Sequence, residues 1–175
     1  MKWEIALANW RRDRSITEPQ STYKSMMLEE DEELNDAIST KDEHEIIDSY
    51  ADQLVVTTNQ IALECTNGTY PELLEFNSLY DALKTYQFGL NNSAVLPWID
   101  TYLRNQIEER GYIVDLVMKQ VVKEISSRKQ DPEQAALWAS QGGNINGDKW
   151  QKNKNQDPDT LYKADYSKCK SRKRK

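Results

Sequence analysis

Apolar residues recur along this chain at spacings of three and four, and no stretch alternates apolar with polar over the length of a strand. Helical periodicity therefore dominates, and the pattern predicts an all-α fold. A short first helix is expected over about residues 3–12, followed by a linker over 16–20 that contains Pro19. Ser21 and Thr22 can cap a helix reaching about Ser39. The sequence Ser39-Thr40-Lys41-Asp42 then reads as a tight connection, and Asp42 can cap a long helix that continues to about Cys65. Thr66-Asn67-Gly68-Thr69-Tyr70-Pro71 stops that helix with turn chemistry. Further helices are expected over about 72–86, 95–110 and 113–128, with breaks at 90–93 and at Gly111. Asp131-Pro132-Glu133 reads as one more helix start, with proline where its missing N–H costs nothing. The expected architecture is a bundle of about five to six helices over residues 1–140. From Gln141 glycine, asparagine and lysine replace apolar residues, so 141–175 reads as a basic loop or tail, placed to cover a site.

The faces of the second and third helices carry the most information. At about 100° per residue, Tyr23, Met26, Met27, Leu34, Ala37 and Ile38 share one face, with Glu30 in its middle and Glu33 at its edge. Glu32 and Asp36 lie opposite, where a solvated acidic surface would keep all its carboxylates. An unpaired buried carboxylate is costly or takes up a proton, so Glu30 needs a partner. On the next helix Ile46, Ile47, Tyr50, Leu54, Thr58, Ile61 and Cys65 share a face. Glu45, Asp48 and Asp52 stack with Val55, Val56 and Asn59 on another. Two antiparallel helices joined by a short turn would bring Glu30 and Glu33 opposite Asp48 and Asp52, four oxygen donors on two rigid elements. All-oxygen ligation without His or Cys selects magnesium, with manganese as a substitute, over zinc. The competing expectation pairs Glu30 with Lys24, Arg11 or Arg12 and leaves the other acids solvated.

Composition sharpens this picture through its distribution. The 175 residues carry a formal charge of −6. Between Glu29 and Asp52 eleven acids face only Lys41, whereas from Gly147 to Lys175 ten basic residues face four acids. Separated poles suit a ligand bearing both signs, such as a magnesium-bound polyphosphate, and equally suit a solvated acidic face with a basic tail. A mean hydropathy of −0.85 is polar for a globular chain and favours a small core, or an oligomer that buries more surface. No apolar run approaches the roughly 20 residues that span a bilayer, and Met1-Lys2-Trp3-Glu4 lacks a signal-peptide layout, so a soluble cytoplasmic protein is expected. Cys65 and Cys169 have no nearby Cys or His partner, which argues against zinc or a disulfide framework, and Cys65 reads as core. The single histidine, His44, reads as a surface residue.

Glu29-Glu30-Asp31-Glu32-Glu33-Leu34, followed by Asp48-Ser49-Tyr50-Ala51-Asp52, resembles the all-α nucleoside triphosphate pyrophosphohydrolases. That superfamily includes MazG, the dimeric dUTPases and dCTPases, the phosphoribosyl-ATP pyrophosphohydrolases and many phage members. Its pattern is Glu-Glu-x-x-Glu on one helix and Glu-x-x-Asp on the next, and the likeness covers about residues 24–62. Ser49 stands where the family usually has glutamate, and Asp48, on the face of Asp52, takes the ligand position. The resemblance implies a homodimer or homotetramer, in the host cytoplasm if phage-encoded. It implies magnesium held by Glu30, Glu33, Asp48 and Asp52, with Glu29 and Glu30 as the catalytic pair and Glu29 orienting or deprotonating the attacking water. Water attack at the α-phosphate of a (d)NTP would release (d)NMP and pyrophosphate. Gly147-Asp148-Lys149-Trp150-Gln151-Lys152 and Asp157-Pro158-Asp159 are similar to the family's later segment. On that basis Lys24, Arg128, Lys129, Lys149 and Lys152 are the substrate-binding candidates, and Trp150 or Tyr162 could stack on a base. A non-catalytic, acidic helical binding module is the alternative. Nucleic-acid binding by the basic terminus ranks last, because the acidic body opposes it.

Overall fold

The computed structural model describes residues 2–13, 16, 19–65, 75–88, 92, 94–127 and 162–171. Six α-helices order these residues: α1 (Trp3–Asp13), α2 (Tyr23–Thr40), α3 (Glu43–Glu64), α4 (Leu79–Thr85), α5 (Val95–Glu109) and α6 (Val114–Ser127). A 3-10 turn, η1 (Tyr166–Lys168), and one isolated antiparallel bridge between Tyr112 and Lys170 complete the described structure, which contains no strand. The fold is all-α, and none of the described helices is long and apolar enough to cross a membrane.

The core is built around α3. Ile46, Ile47, Tyr50, Ala51, Leu54 and Val55 are buried on several of its sides, and α1, α2, α5 and α6 all pack on it. A helix buried on most of its sides belongs in the interior, and its neighbours present narrower stripes. Leu96, Ile99, Leu103 and Ile107 come from α5, and Val117, Met118, Val121 and Ile125 from α6. Trp3 and Leu7 seat α1, and the Trp10 indole donates to the Ile125 carbonyl at 3.2 Å. Cys65 is half-buried against this core.

Local chemistry explains the helix ends. The Asp42 carboxylate accepts the N–H groups of His44 (3.0 Å) and Glu45 (3.2 Å), the expected cap of α3. Thr22 holds the cap position of α2 without a side-chain cap, and instead the Ser25 hydroxyl donates to the Thr22 carbonyl. Lys41 closes α2 in the left-handed region, φ 57°, with its N–H turned back to the last carbonyls of the helix. That single residue reverses the chain, so α2 and α3 form an antiparallel hairpin. The helix expected over 72–86 begins only at Leu79, where the Ser78 hydroxyl accepts the Asp81 N–H, and residues 75–78 are not helical. The expected helix start at Asp131 lies outside the described residues.

Part of the expected tail belongs to the body. Ala164, Tyr166 and Cys169 are buried. Ile113 N–H donates to the Cys169 carbonyl and Ser171 N–H to the Gly111 carbonyl, both at 2.8 Å. Gly111 adopts φ +83° between α5 and α6, a conformation glycine enters without steric cost. Residues 162–171 thus form a strap against α6 and the start of α3. The rest of 141–175 lies outside the described residues.

Candidate functional site

The register of the α2–α3 hairpin decides which acids face one another. The Tyr23 and Thr57 hydroxyls share a 3.0 Å hydrogen bond, and Thr57 also lies 3.6 Å from the Met27 sulfur. At the closed end Asp42 N–H donates to the Ala37 carbonyl. Thr57 meets both Tyr23 and Met27, so stepping along both helices from it brings Glu30 level with residues 50–54 and Glu33 level with residues 47–51. Tyr23, Met27, Leu34 and Ala37 are the buried residues of α2, and Glu30, half-buried, is the middle rung of their 4-3-4-3 stripe. Glu29 and Glu33 are exposed. Lys24 is half-buried in the first turn of α2, six residues before Glu30 and so about 9 Å along the helix. Arg128, Lys129, Lys149, Trp150 and Lys152 lie outside the described residues.

Asp48 looks away from α2. It is half-buried, and its carboxylate accepts the hydroxyl of Tyr166 on η1. Burial raises its pKa above the usual aspartate range, with Glu124 and Glu45 adding to the rise, against the Tyr166 bond and His44. Burial likewise raises the Tyr166 phenol, helped by the charges of Asp48, Asp52 and Glu124, so it stays protonated and donating. Glu124 on α6 accepts the Ala164 N–H at 2.7 Å. His44 is exposed, yet its ring lies 4.9 Å from that of Tyr166 and its Nε2 is 3.1 Å from the Ala164 carbonyl. Tyr162 is held by Gln120 and covered by the Lys123 ammonium, 3.6 Å from its ring centre. Neither Glu124 nor Tyr166 was legible as a site residue, since no local signal ties α6 or the C-terminal segment to Asp48.

A cation from α1 reaches the same side of α3. Arg11 donates to Asn59 Oδ1 at 3.0 Å, and burial lowers its pKa, though guanidinium remains charged in proteins. Asn59 and Asp52 are seven residues apart, hence on one face and about 10 Å along the axis. Arg12 pairs instead with its neighbour Asp13, at 3.7 Å on the surface. Sequence reasoning had weighed Arg11 only as a counter-ion for Glu30.

Ser49, Gln53, Thr57 and Gln60 form a polar stripe inside α3, all buried. Ser49 donates to the Glu45 carbonyl, Thr57 meets Tyr23, and Gln60 bonds Gln20 and Tyr86. Gln53 is fully buried, and both its amide nitrogen and its amide oxygen lack a hydrogen-bond partner. Leaving such a group unsatisfied costs about 1–3 kcal/mol. Its neighbours one turn away are Ser49 and Thr57, of which Thr57 meets α2 at Tyr23 and Met27.

The donor set is all oxygen and suits a hard cation in kind, but Asp48 and Asp52 share the side of α3 turned from α2, whereas Glu30 lies on the face of α2 that packs on α3. Among the described residues no three His, Cys, Asp or Glu side chains are gathered closely enough to chelate an ion, so closure round a metal needs side-chain rotation about these backbones.

No protein-family model matches this chain, and no curated protein or solved structure does either.

Proposed function

We propose that the chain is a magnesium-dependent nucleoside triphosphate pyrophosphohydrolase, converting a (d)NTP to (d)NMP and pyrophosphate. The observation that carries this reading is Glu30, a half-buried carboxylate set in the apolar stripe by which α2 packs on α3. A carboxylate on the packed face of a helix is uncommon and marks a candidate ligand site. Glu30, Glu33 and Asp52 would hold magnesium, or manganese in its place, and Asp48 would join them only on leaving Tyr166. When bound, such an ion supplies charge neutralisation for the triphosphate and acidifies water. Glu29, exposed beside this group, takes the proton of the attacking water. Arg11, held by Asn59 on the same side of α3, faces the outgoing phosphates. A homodimer or homotetramer in the cytoplasm is part of the proposal.

The binding-module reading draws on a different observation: Asp48 is already engaged by Tyr166. One experiment separates them. Purified protein with magnesium is incubated with each dNTP and NTP, and products are resolved by chromatography. Monophosphate plus pyrophosphate is expected, and Glu33→Gln or Asp52→Asn should abolish turnover in folded protein. Release of orthophosphate alone, or activity indifferent to both substitutions, removes the proposal.

A further inference from the structure

Three rings form a row along one flank of α5. Trp98 and Tyr102, one turn apart, lie nearly parallel with their centres 5.3 Å apart, and Phe76 meets Trp98 edge-on at 5.2 Å. All three are half-buried, so each packs on the core and keeps part of its surface in solvent. Burial, then the charges of Tyr50, Asp31 and Glu109, raise the Tyr102 phenol above the usual tyrosine range. An acid of α2 and an acid of α5 therefore lie within electrostatic reach of the row. The fold already seats one cation beside it. The Tyr50 hydroxyl donates to Gln106, one turn beyond Tyr102, and the Arg110 guanidinium lies 5.8 Å from the centre of the Tyr50 ring with its Nη1 3.2 Å from Glu43.

Guanidinium gains from ring faces through their quadrupole and from carboxylates through its forked N–H donors. An acidic partner would be repelled by Asp31 and Glu109, and a purely apolar one would desolvate them without return. The chain's own basic end does not reach the row. Ser171 is fixed at Gly111, just past the end of α5, and the four residues after it span at most about 14 Å. Trp98 lies eleven residues before Glu109, about 17 Å along the helix. A second copy is opposed by the charge of −6 that each chain carries.

We propose that the row of Phe76, Trp98 and Tyr102, rimmed by Asp31 and Glu109, is a docking surface for an arginine-rich segment of a partner protein. Its guanidinium groups stack on the rings and pair with the two carboxylates. None of these five residues belongs to the pyrophosphohydrolase site, so the proposal stands apart from that reading.

Fluorescein-labelled octa-arginine, titrated with the full chain at about 0.15 M salt, gives a Kd by anisotropy. Trp98→Leu keeps an apolar side chain and every charge, and should raise that Kd about five- to ten-fold. Tyr102→Leu is the second ring variant should leucine pack poorly at 98, with circular dichroism showing that each is folded. Asp31→Asn combined with Glu109→Gln should weaken binding about five-fold and flatten its salt dependence. Octa-lysine has the same charge but no planar group and should bind several-fold more weakly. Tyr80→Leu, which alters an exposed ring on α4, should change nothing. A Kd indifferent to both ring variants, or equal for octa-lysine, assigns the binding to general attraction by an acidic chain and overturns the proposal, as does absence of binding. Self-association in sedimentation that Trp98→Leu abolishes, in a protein that ignores the peptide, gives the face to a second copy and also overturns it.

Discussion

Tyr166 donates its hydroxyl to the carboxylate of Asp48, 118 positions earlier in the chain. The bond joins the C-terminal strap to the first turns of α3. A hydrogen bond to a charged acceptor contributes about 1.5–3 kcal/mol. Tyr166→Phe keeps the ring against His44 and removes only the donor, so it should cost an amount in that range in chemical denaturation. Amide exchange at Ala164, Ser167 and Cys169 should quicken at the same time. Unaltered protection at those three amides would mean that the strap docks without this bond.

The acidity of Asp48 predicts a pH dependence whose sign can be worked out. Burial first, then Glu124 and Glu45, raise its pKa in the folded protein. The folded state therefore binds this proton more tightly than the unfolded chain does. Stability from this group declines as pH rises from the ordinary aspartate value, about 4, through the raised folded value, and the cost is complete above it. Asp48→Asn, which can still accept from Tyr166, should raise the melting temperature in chelator at pH 7–8 by about 2–4 °C. The advantage should shrink on acidification and vanish below about pH 4. An equal gain at every pH would assign the effect to something other than ionisation.

The turn between α2 and α3 offers a pair of opposite effects. Lys41 holds φ 57°, which costs an L-residue about 1 kcal/mol, so Lys41→Gly should stabilise by about 0.5–1 kcal/mol. Asp42→Ala leaves two N–H groups of α3 without their acceptor and should destabilise by about 1 kcal/mol. Urea midpoints of the two single variants measure both.

Arg11 tests the phosphate side of the proposal separately from the metal side. Arg11→Ala removes a guanidinium held by Asn59 and should raise KM for the preferred triphosphate about ten-fold, equivalent to about 1.4 kcal/mol. Magnesium binding without nucleotide should be unchanged in calorimetry. Equal losses in both measurements would place Arg11 with the fold instead of the substrate.

Helix by helix, much of the architecture was legible. The periodicity of 3–12, 95–110 and 113–128 anticipated α1, α5 and α6 to within a residue or two, and the Asp42 cap was readable because its chemistry is local. Glu30 was legible as the odd member of an apolar stripe for the same reason. The helix over 72–86 was overextended, since periodicity continues past the point where Ser78 caps the backbone. Asp48 and Asp52 were correctly placed on α3, but the side of the molecule that Asp48 faces depends on α6 and the strap, more than 70 positions away.

From its own period the chain determined an all-helical fold, the short turn that pairs α2 with α3, and the position of Glu30 among apolar neighbours. These follow from bonds and side-chain directions within a few residues. Tertiary structure alone decided that residues 162–171 enter the body, that Tyr166 engages Asp48, that Arg11 meets Asn59, and that Gln53 is buried with its amide unsatisfied. A helical period states which side chains share a face. Which distant element covers that face is settled by packing, because each surface is buried only against a complementary one brought up by the rest of the chain.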